Sequence, residues 1–174
     1  MEIRPVRLED AASLLSIYTP YVLETTVTFE YEVPLLSEFQ DRIKKTTQNF
    51  PYYVAVEDNK IIGYAYAGRY KERRAYDWGC ELSIYLDAAY QSKGVGKTLY
   101  TKLLEQLKAM HYQVVYACIT YPNEKSIRFH ERFGFKQIAY FEGCGYKFNQ
   151  WCDMIWMEKR IGDPHHVLPI EKLD

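Results

Sequence analysis

The spacing of apolar and polar residues predicts one strand and two helices at the front of the chain. Residues 3–6 read as a short strand, and residues 9–18 carry apolar side chains at helical spacing. Ser37 and Gln40 have the spacing of a capping box and precede further apolar positions, which predicts a second helix to about Gln48.

Three strand segments follow. Residues 52–57 and 60–68 are rich in β-branched and aromatic residues, and the polar pair between them suits a tight turn, so they predict a β-hairpin. The next predicted strand runs from Trp78 to Leu86 and carries one glutamate in its interior. We expect this strand to matter for chemistry.

The back of the chain alternates between helix and strand. A polar loop containing glycine leads into a predicted helix from Gly96 to Met110, a strand at 114–120 and a helix from Asn123 to Phe133. Residues 133–141 and 151–158 then read as two closing strands. The predicted order is β-α-α-β-β-β-α-β-α-β-β.

This order indicates an α/β fold. Antiparallel strands at the front and β-α-β alternation at the back favour a mixed sheet with helices on both faces. A chain of 174 residues suits one domain, which we place at residues 1–160. Residues 161–174 lack periodicity, and we expect them to form a loose C-terminal extension.

The amino-acid composition disfavours several classes of binding partner. Lysine and arginine number 22 against 23 acidic residues, so no strong field would gather nucleic acid or acidic lipid. No apolar run approaches the roughly 20 residues of a membrane span, and the first residues are charged, so we expect a soluble, cytoplasmic protein. The four cysteines lack metal-ligand spacing, so we expect buried free thiols and no metal site.

A candidate phosphate-binding loop lies between the strand that ends at Leu86 and the next helix. Its residues are Gln91, Ser92, Lys93, Gly94, Val95, Gly96 and Lys97. Successive backbone N–H groups there can converge on an anion at the positive end of the helix, and glycines allow close approach. A plain glycine-containing turn is the alternative, but the two flanking lysines favour phosphate.

The same loop imitates the end of a nucleotide-binding P-loop. Gly96 to Thr98 reads G-K-T, which suggests a nucleoside triphosphatase as an alternative from a different class. The first glycine of that motif would fall at position 91, where the chain has glutamine. The register therefore argues against a P-loop.

Two motifs resemble those of the GNAT superfamily. Q-S-K-G-V-G resembles its acyl-CoA signature [QR]-x-x-G-x-[GA], and N-E-K-S-I-R-F-H-E-R-F-G-F resembles its second recurrent stretch. Residues 65–86, 98–105 and 145–154 look like those of the phosphinothricin and methionine sulfoximine N-acetyltransferases. The resemblance runs from Ile3 to about Glu158 and implies a mostly antiparallel, seven-stranded sheet flanked by about four helices.

The resemblance implies acetyl-CoA as co-substrate and a set of contacts for it. Backbone groups of the strand would hold the pantetheine arm in a splayed gap, and Ser92 to Lys97 would hold the pyrophosphate. The strand residues in question are Ile84, Tyr85 and Leu86. Asn123 would face the pantetheine or the thioester, and it also suits an N-cap.

His130 stands where many members of the superfamily carry a tyrosine. Two roles remain open for it. It is either an acid for the leaving thiolate or a helix histidine that packs near the cofactor. A histidine at this position differs from the general pattern of the superfamily but agrees with the phosphinothricin-type branch that the chain resembles.

Glu81 is the predicted general base. An amine that is protonated near neutral pH must lose a proton before it attacks a thioester. Alternation places Glu81 on one strand face with Ser83 and Tyr85, and the resembling branch has its proposed base here. We expect Glu81 to act directly or through water, and a solvent-facing strand glutamate is the alternative.

The acceptor pocket should contain cations if the acceptor carries a carboxylate. Lys71, Arg73 and Tyr76, just before the Glu81 strand, are our substrate-binding candidates. A solvated charged loop is the alternative, and we favour it for Arg74.

Two further groups are weaker candidates for the same pocket. Lys147, Tyr146 and Trp151 form a second set of possible acceptor contacts. Phe29 and Tyr31 could wall the pocket, although their segment also reads as an edge strand.

The sequence thus predicts transfer of the acetyl group of acetyl-CoA to the primary amine of a small, amino-acid-like acceptor. Alternatives are a GNAT enzyme for another amine, such as a polyamine, a peptide or a protein N-terminus, and an acyl-CoA-binding module without turnover. A homodimer is expected from the resemblance, and the 17 tyrosines would suit its interface.

Overall fold

The computed structural model describes residues 1–172. The strands are β1 (Glu2–Pro5), β2 (Tyr52–Glu57), β3 (Lys60–Arg69), β4 (Gly79–Leu86), β5 (Val114–Tyr121), β6 (Lys136–Lys147) and β7 (Gln150–Arg160). The helices are α1 (Ala11–Glu24), α2 (Leu36–Thr47), α3 (Val95–Ala109) and α4 (Glu124–Arg132). The order of strands and helices is the predicted one.

All seven strands form one sheet in the order β1-β2-β3-β4-β5-β7-β6. Every neighbouring pair is antiparallel except β4 and β5, which run parallel. The prediction of a mixed, mostly antiparallel sheet is confirmed.

Helices cover both faces of this sheet, as predicted. Along β2, Tyr53 and Ala55 join a core that contains α3, whereas Tyr52 and Val54 join a second core that contains α1 and α2. Neighbouring strand residues point to opposite faces, so the two cores lie on opposite sides of the sheet. We call these sides the α3 face and the α1 face.

The parallel pair is short. Strand β4 pairs with β5 only over residues 79–81, opposite 114–116, although β4 remains paired with β3 as far as Leu86. Strand β5 likewise remains paired with β7 as far as Tyr121. Beyond Glu81 the two strands therefore separate and leave a gap within the sheet.

Helix α1 is longer than predicted. The prediction ended at Tyr18, but the helix continues past Pro20 to Glu24, after a 3₁₀ turn at Leu8–Asp10. Proline removes one helical donor, and the burial of Tyr18 and Val22 in the α1-face core outweighs that loss. Local sequence alone did not show this burial.

The predicted capping box of α2 is wrong. The N-cap is Leu35 without a side-chain cap, and Ser37 lies inside the first turn. The N–H of Phe39 already donates to the carbonyl of Leu35 at 2.9 Å. The burial of Phe39 and Ile43 in the core sets where this helix begins.

The C-terminal extension is not loose over its described part. It has no regular elements, but the Trp78 indole donates to the Leu168 carbonyl at 2.7 Å and His111 Nδ1 donates to the Pro169 carbonyl at 2.8 Å. Ile170 packs against the α3-face core. Positions 173 and 174 lie outside the described residues, and the division at residue 160 stays a prediction.

The cysteines are free, but they do not share one environment. Cys80 and Cys152 are buried, Cys118 is half-buried and Cys144 is exposed, so the expectation of burial is wrong for Cys144. Among residues 1–172, no group of three or more His, Cys, Asp or Glu side chains could hold a metal ion. No helix in that range could cross a bilayer.

Candidate functional site

A cavity of about 220 Å³, partly open to solvent, occupies the gap between β4 and β5. It is lined by residues of the 27–29 segment, of β4, of β5 and of α4, together with Met154 of β7. Six residues predicted for the site lie there: Phe29, Glu81, Ile84, Tyr85, Asn123 and His130. Folding thus joins the predicted acceptor chemistry to the predicted cofactor contacts.

The backbone of β4 faces this gap at alternate residues. The N–H of Leu86 donates to the Tyr21 hydroxyl at 3.2 Å, and that hydroxyl donates to the Leu86 carbonyl at 2.7 Å. Alternate residues of an antiparallel strand direct their N–H and C=O to the same side, so Ile84 faces the gap as well. Tyr85 directs its backbone toward β3, and both backbone groups of Leu86 bond to Tyr21, which leaves Ile84 as the candidate for the predicted backbone role.

The candidate phosphate loop has the backbone that an anion site needs. Gly94 is the N-cap of α3 with φ of +86°, a left-handed conformation that glycine adopts without strain. No atom lies within 4 Å of where its Cβ would be. The first N–H groups of α3, at Val95, Gly96 and Lys97, have no intrahelical partner, so this cradle fits a pyrophosphate.

Gly96 also serves a purpose that was not predicted. A Cβ at this position would lie 3.4 Å from side-chain atoms of Ile84, Leu86 and Phe129. The glycine therefore allows α3 to pack closely on β4 beside the gap. A side chain at Gly96 would thus point into apolar groups of β4 and α4, a packing constraint in addition to the predicted close approach of the backbone to an anion.

Gln91 joins three elements through its side chain. Its Nε2 donates to the Tyr21 hydroxyl at 3.3 Å, and its Oε1 accepts from Lys125 Nζ at 2.8 Å. Tyr21 and Lys125 were missed from the sequence. Tyr21 lies in the part of α1 beyond Pro20, where no helix was predicted, so its hydroxyl had no predicted position.

Glu81 lies on the α1 face of β4 and lines the cavity. It is half-buried, and burial raises the pKa of its carboxyl above the ordinary value of 4.5. A carboxylate with a raised pKa is a stronger proton acceptor. The position and the environment agree with the predicted role of a base.

Helix α4 brings two predicted residues to the cavity. Asn123 is its N-cap, and the side-chain oxygen accepts from the Ser126 N–H at 3.1 Å. His130 Nδ1 lies 2.8 Å from the Ser126 carbonyl, so Nδ1 must donate, and Nε2 accepts from the Tyr100 hydroxyl at 2.9 Å. Burial lowers the pKa of His130, so the neutral ring directs no N–H into the cavity.

The predicted acceptor cations lie beside the cavity and not among the residues that line it. Lys71 Nζ is 4.9 Å from the Tyr70 ring centre and 5.0 Å from that of Tyr76. Tyr70 stacks on Tyr116 at 4.1 Å, and Tyr116 is the register partner of Glu81. An aromatic stack thus supports the loop of Lys71, Arg73 and Tyr76 near the Glu81 end.

The weaker candidates for acceptor contacts lie in different environments. Phe29 lines the cavity, as expected, in a segment without strand structure, so the edge-strand alternative is wrong. Lys147 is buried with its ammonium on backbone carbonyls, so it does not contact an acceptor directly. Trp151 is 70% exposed, and the Tyr31 hydroxyl donates to the Tyr146 carbonyl.

Two sulfur-containing side chains line the cavity and were not predicted from the sequence. Cys118 and Met154 both line the cavity, with their sulfur atoms 2.7 Å apart. Burial raises the pKa of the Cys118 thiol to about 12, so this thiol stays protonated at neutral pH. The alternation of β5, which puts Cys118 on the face of Thr120, could have indicated the position.

Known proteins match nearly the whole chain. A family model described as "Acetyltransferase (GNAT) domain" matches residues 3–156. Phosphinothricin N-acetyltransferase from Streptomyces viridochromogenes is 33% identical, over 99% of this chain and 96% of its own. An L-methionine sulfoximine/L-methionine sulfone acetyltransferase from Salmonella typhimurium is 28% identical, over 97% and 98%.

A solved structure agrees with these sequences. The phosphinothricin acetyltransferase from Sinorhizobium meliloti, crystallised in complex with AcCoA, superposes with a TM-score of 0.92 at 31% identity. The match covers 98% of this chain and 93% of that one. Sequence and structure therefore point to the same group of proteins.

Proposed function

The chain belongs to the GNAT acetyltransferase family, and we propose that it transfers the acetyl group of acetyl-CoA to the primary amine of a small, amino-acid-like molecule. Phosphinothricin and methionine sulfoximine represent this acceptor class, because relatives at 33% and 28% identity are named for acetylating them. The natural acceptor is then an amino acid or a close analogue.

One observation carries the proposal. The half-buried carboxylate of Glu81 and the gap-facing backbone of Ile84 border the same cavity, and the phosphate loop lies at the end of the same strand. A base, a thioester-binding backbone and a diphosphate cradle thus follow one another along β4. Direct attack of an amine on a bound thioester needs this arrangement.

In the proposed mechanism Glu81 removes the proton from the acceptor ammonium, directly or through one water molecule. Its burial raises the pKa of the carboxyl, which brings proton affinity closer to the working pH. Bound acetyl-CoA supplies the activated acetyl carbonyl. The amine, once neutral, is held against that carbonyl by the walls of the cavity.

Backbone donors would stabilise the negative charge that develops on the carbonyl oxygen. The N–H groups that face the gap, at Ile84 foremost, are fixed by the pairing of β4 with β3, so they need no rearrangement. As the carbon–sulfur bond breaks, the attacking nitrogen gives its second proton through water to the departing sulfur, so coenzyme A leaves as the thiol. We do not assign His130 as an acid in this step, because both ring nitrogens already have partners within the chain. We propose His130 as a packing residue of the cofactor side.

The acceptor carboxylate is assigned to the loop before β4. Lys71, Arg73 and Tyr76 supply two cations and one hydroxyl in a loop that stacks, through Tyr70, on Tyr116, the register partner of Glu81. Arg and Lys are suited to carboxylate and phosphinate groups. A basic loop also disfavours polyamines, which carry only positive charge.

The test is an acetylation assay. Purified protein is incubated with acetyl-CoA and, separately, phosphinothricin, methionine sulfoximine, methionine sulfone, spermidine or a peptide, while free thiol is followed. We expect turnover with the amino-acid analogues alone. Turnover confined to spermidine or peptide would reassign the acceptor, and acetyl-CoA binding without turnover on any amine would favour the binding module.

The proposal includes a homodimer. Strands β6 and β7 and their turn expose aromatic side chains, namely Tyr140, Phe141, Tyr146, Phe148 and Trp151. Exposed apolar patches of this kind mark interaction surfaces. Light scattering should give the mass of two chains, and the mass of one chain at micromolar concentration would contradict it. The cytoplasmic location stays a prediction.

A further inference from the structure

Lys147, at the end of β6, carries a charge that the proposed chemistry does not use. The residue is only 2% exposed, which is rare for a lysine. An ammonium group has three N–H donors, and Nζ donates to the carbonyls of Val22, Thr25 and Thr28 at 2.7, 2.8 and 2.8 Å. Every donor therefore has a partner, and all the partners are backbone.

These carbonyls belong to the end of α1 and to the segment that follows it. Val22 lies in the last turn of α1, where carbonyls lack helical partners and the helix dipole favours a cation. Thr25 and Thr28 belong to an irregular segment, residues 25–29, which we call the wall segment. One side chain thus joins the helix end to the wall segment.

The wall segment borders the cavity directly. Val27, Thr28 and Phe29 line it together with Glu81. No strand within residues 1–172 pairs with this segment, so its backbone is held by side chains, both its own and those of other elements. The Thr28 hydroxyl shares a hydrogen bond of 2.7 Å with Tyr18, and Lys147 supplies the charged contacts from the other side.

The same strand also fixes the Phe29 ring. A methyl group at position 145 would overlap that ring, so glycine at 145 lets Phe29 lie flat against β6. Gly145 and Lys147 are two residues apart and therefore on one side of the strand. Strand β6 thus holds the wall segment by its backbone and by its aromatic ring.

We infer that Lys147 is a positioning residue for the acceptor, which holds the wall segment against Glu81 and so sets the shape of the acceptor half of the cavity. The inference rests on the proposed acetyltransferase function. The residue does not contact the acceptor. Its loss should impair use of the amine and spare binding of acetyl-CoA, whose proposed contacts lie on β4, in the phosphate loop and at α4, and not on the wall segment.

The test compares Lys147→Met with the wild type, by steady-state kinetics in both substrates and by calorimetric binding of acetyl-CoA. We expect kcat/KM for the amine to fall about 10- to 100-fold, the loss expected from a displaced positioning group. The Kd for acetyl-CoA should change less than about twofold, within the independence expected of separate sites. Methionine matches the chain length without the charge.

Lys159→Met is the matched control. Lys159 lies on β7, away from the wall segment. Its ammonium group also donates a hydrogen bond to a backbone carbonyl at the end of a helix, that of Phe133. Its loss should lower the melting temperature without a selective effect on the amine. A Lys147→Met protein with unchanged amine kinetics, or with equal losses for amine and acetyl-CoA, would overturn the inference.

Gly145→Ala keeps the test decisive if Lys147→Met does not fold. The added methyl displaces the Phe29 ring and leaves the buried charge in place. We expect the same selective loss for the amine, and normal amine kinetics would overturn the inference. A wild-type protein without turnover on any amine would overturn the proposed function itself, and an active wild type separates the two failures.

Discussion

The proposed cofactor half and the proposed acceptor half of the site are built in different ways. The cofactor half would use mainly main-chain groups from residues 84–97, which are continuous in sequence and run from a strand into a helix beyond the lining of the cavity. The acceptor half consists of side chains from the wall segment, from β4, from β5 and from β7. Binding through the backbone depends little on side-chain identity, whereas binding of the acceptor would depend on the particular side chains that line the cavity.

Replacement of Glu81 should have the largest effect. Glu81→Gln keeps the shape but removes the base, and we expect kcat to fall about 10²- to 10⁴-fold with little change in acetyl-CoA binding. In the wild type kcat/KM should fall as the pH is lowered through the raised pKa of Glu81, because only the ionised carboxylate accepts a proton. Full activity of the variant would refute the assignment.

A change at Gly94 should damage the cofactor half instead. Gly94→Val forces a β-branched residue to a φ of +86°, which costs about 1–3 kcal/mol of stability or rearranges the loop. We expect KM for acetyl-CoA to rise about 10-fold, the equivalent of about 1.4 kcal/mol, while KM for the amine stays the same.

Gly134→Val separates strain from binding. Gly134 has a φ of +82°, nearly that of Gly94, but it follows α4 outside the phosphate loop. Its replacement should lower the melting temperature by a similar amount and leave KM for acetyl-CoA unchanged. A rise in that KM for both variants would show that global strain, and not the loop, is responsible.

Two tyrosines of α1 give a smaller but sharper comparison. The Tyr21 hydroxyl bonds the backbone of Leu86 and the side chain of Gln91, whereas the Tyr18 hydroxyl bonds Thr28 of the wall segment. Tyr21→Phe should raise KM for acetyl-CoA about 3- to 10-fold, since a hydrogen bond is worth about 0.5–1.5 kcal/mol. Tyr18→Phe should spare acetyl-CoA, and equal effects of both variants on it would contradict the division.

The sequence placed the candidate phosphate loop between β4 and α3 because these elements are adjacent in the chain. Strand, loop and helix follow one another there, and turn chemistry with helix-end electrostatics suffices to place an anion site. The close packing of Gly96 on Ile84 and Leu86 was not predicted, since it is a tertiary contact that the loop sequence does not contain.

The acceptor half was predicted less well because its residues meet only on folding. The alternation of β4 placed Glu81 on the correct face, but the position of Lys147 depends on carbonyls more than 100 residues earlier in the chain. A lysine in a strand indicates a solvated position by default. Only the fold shows that its charge is enclosed.

The short parallel contact between β4 and β5 divides the sheet into two parts, which are joined by backbone pairing at residues 79–81. Gap-facing amide protons of β4 beyond Glu81, such as that of Ile84, have no hydrogen-bond partner on β5. These protons should therefore exchange with solvent. A ligand that enters the gap would supply the hydrogen-bond partners that β4 lacks there. Its binding would thus make the sheet more rigid at the place where catalysis is proposed.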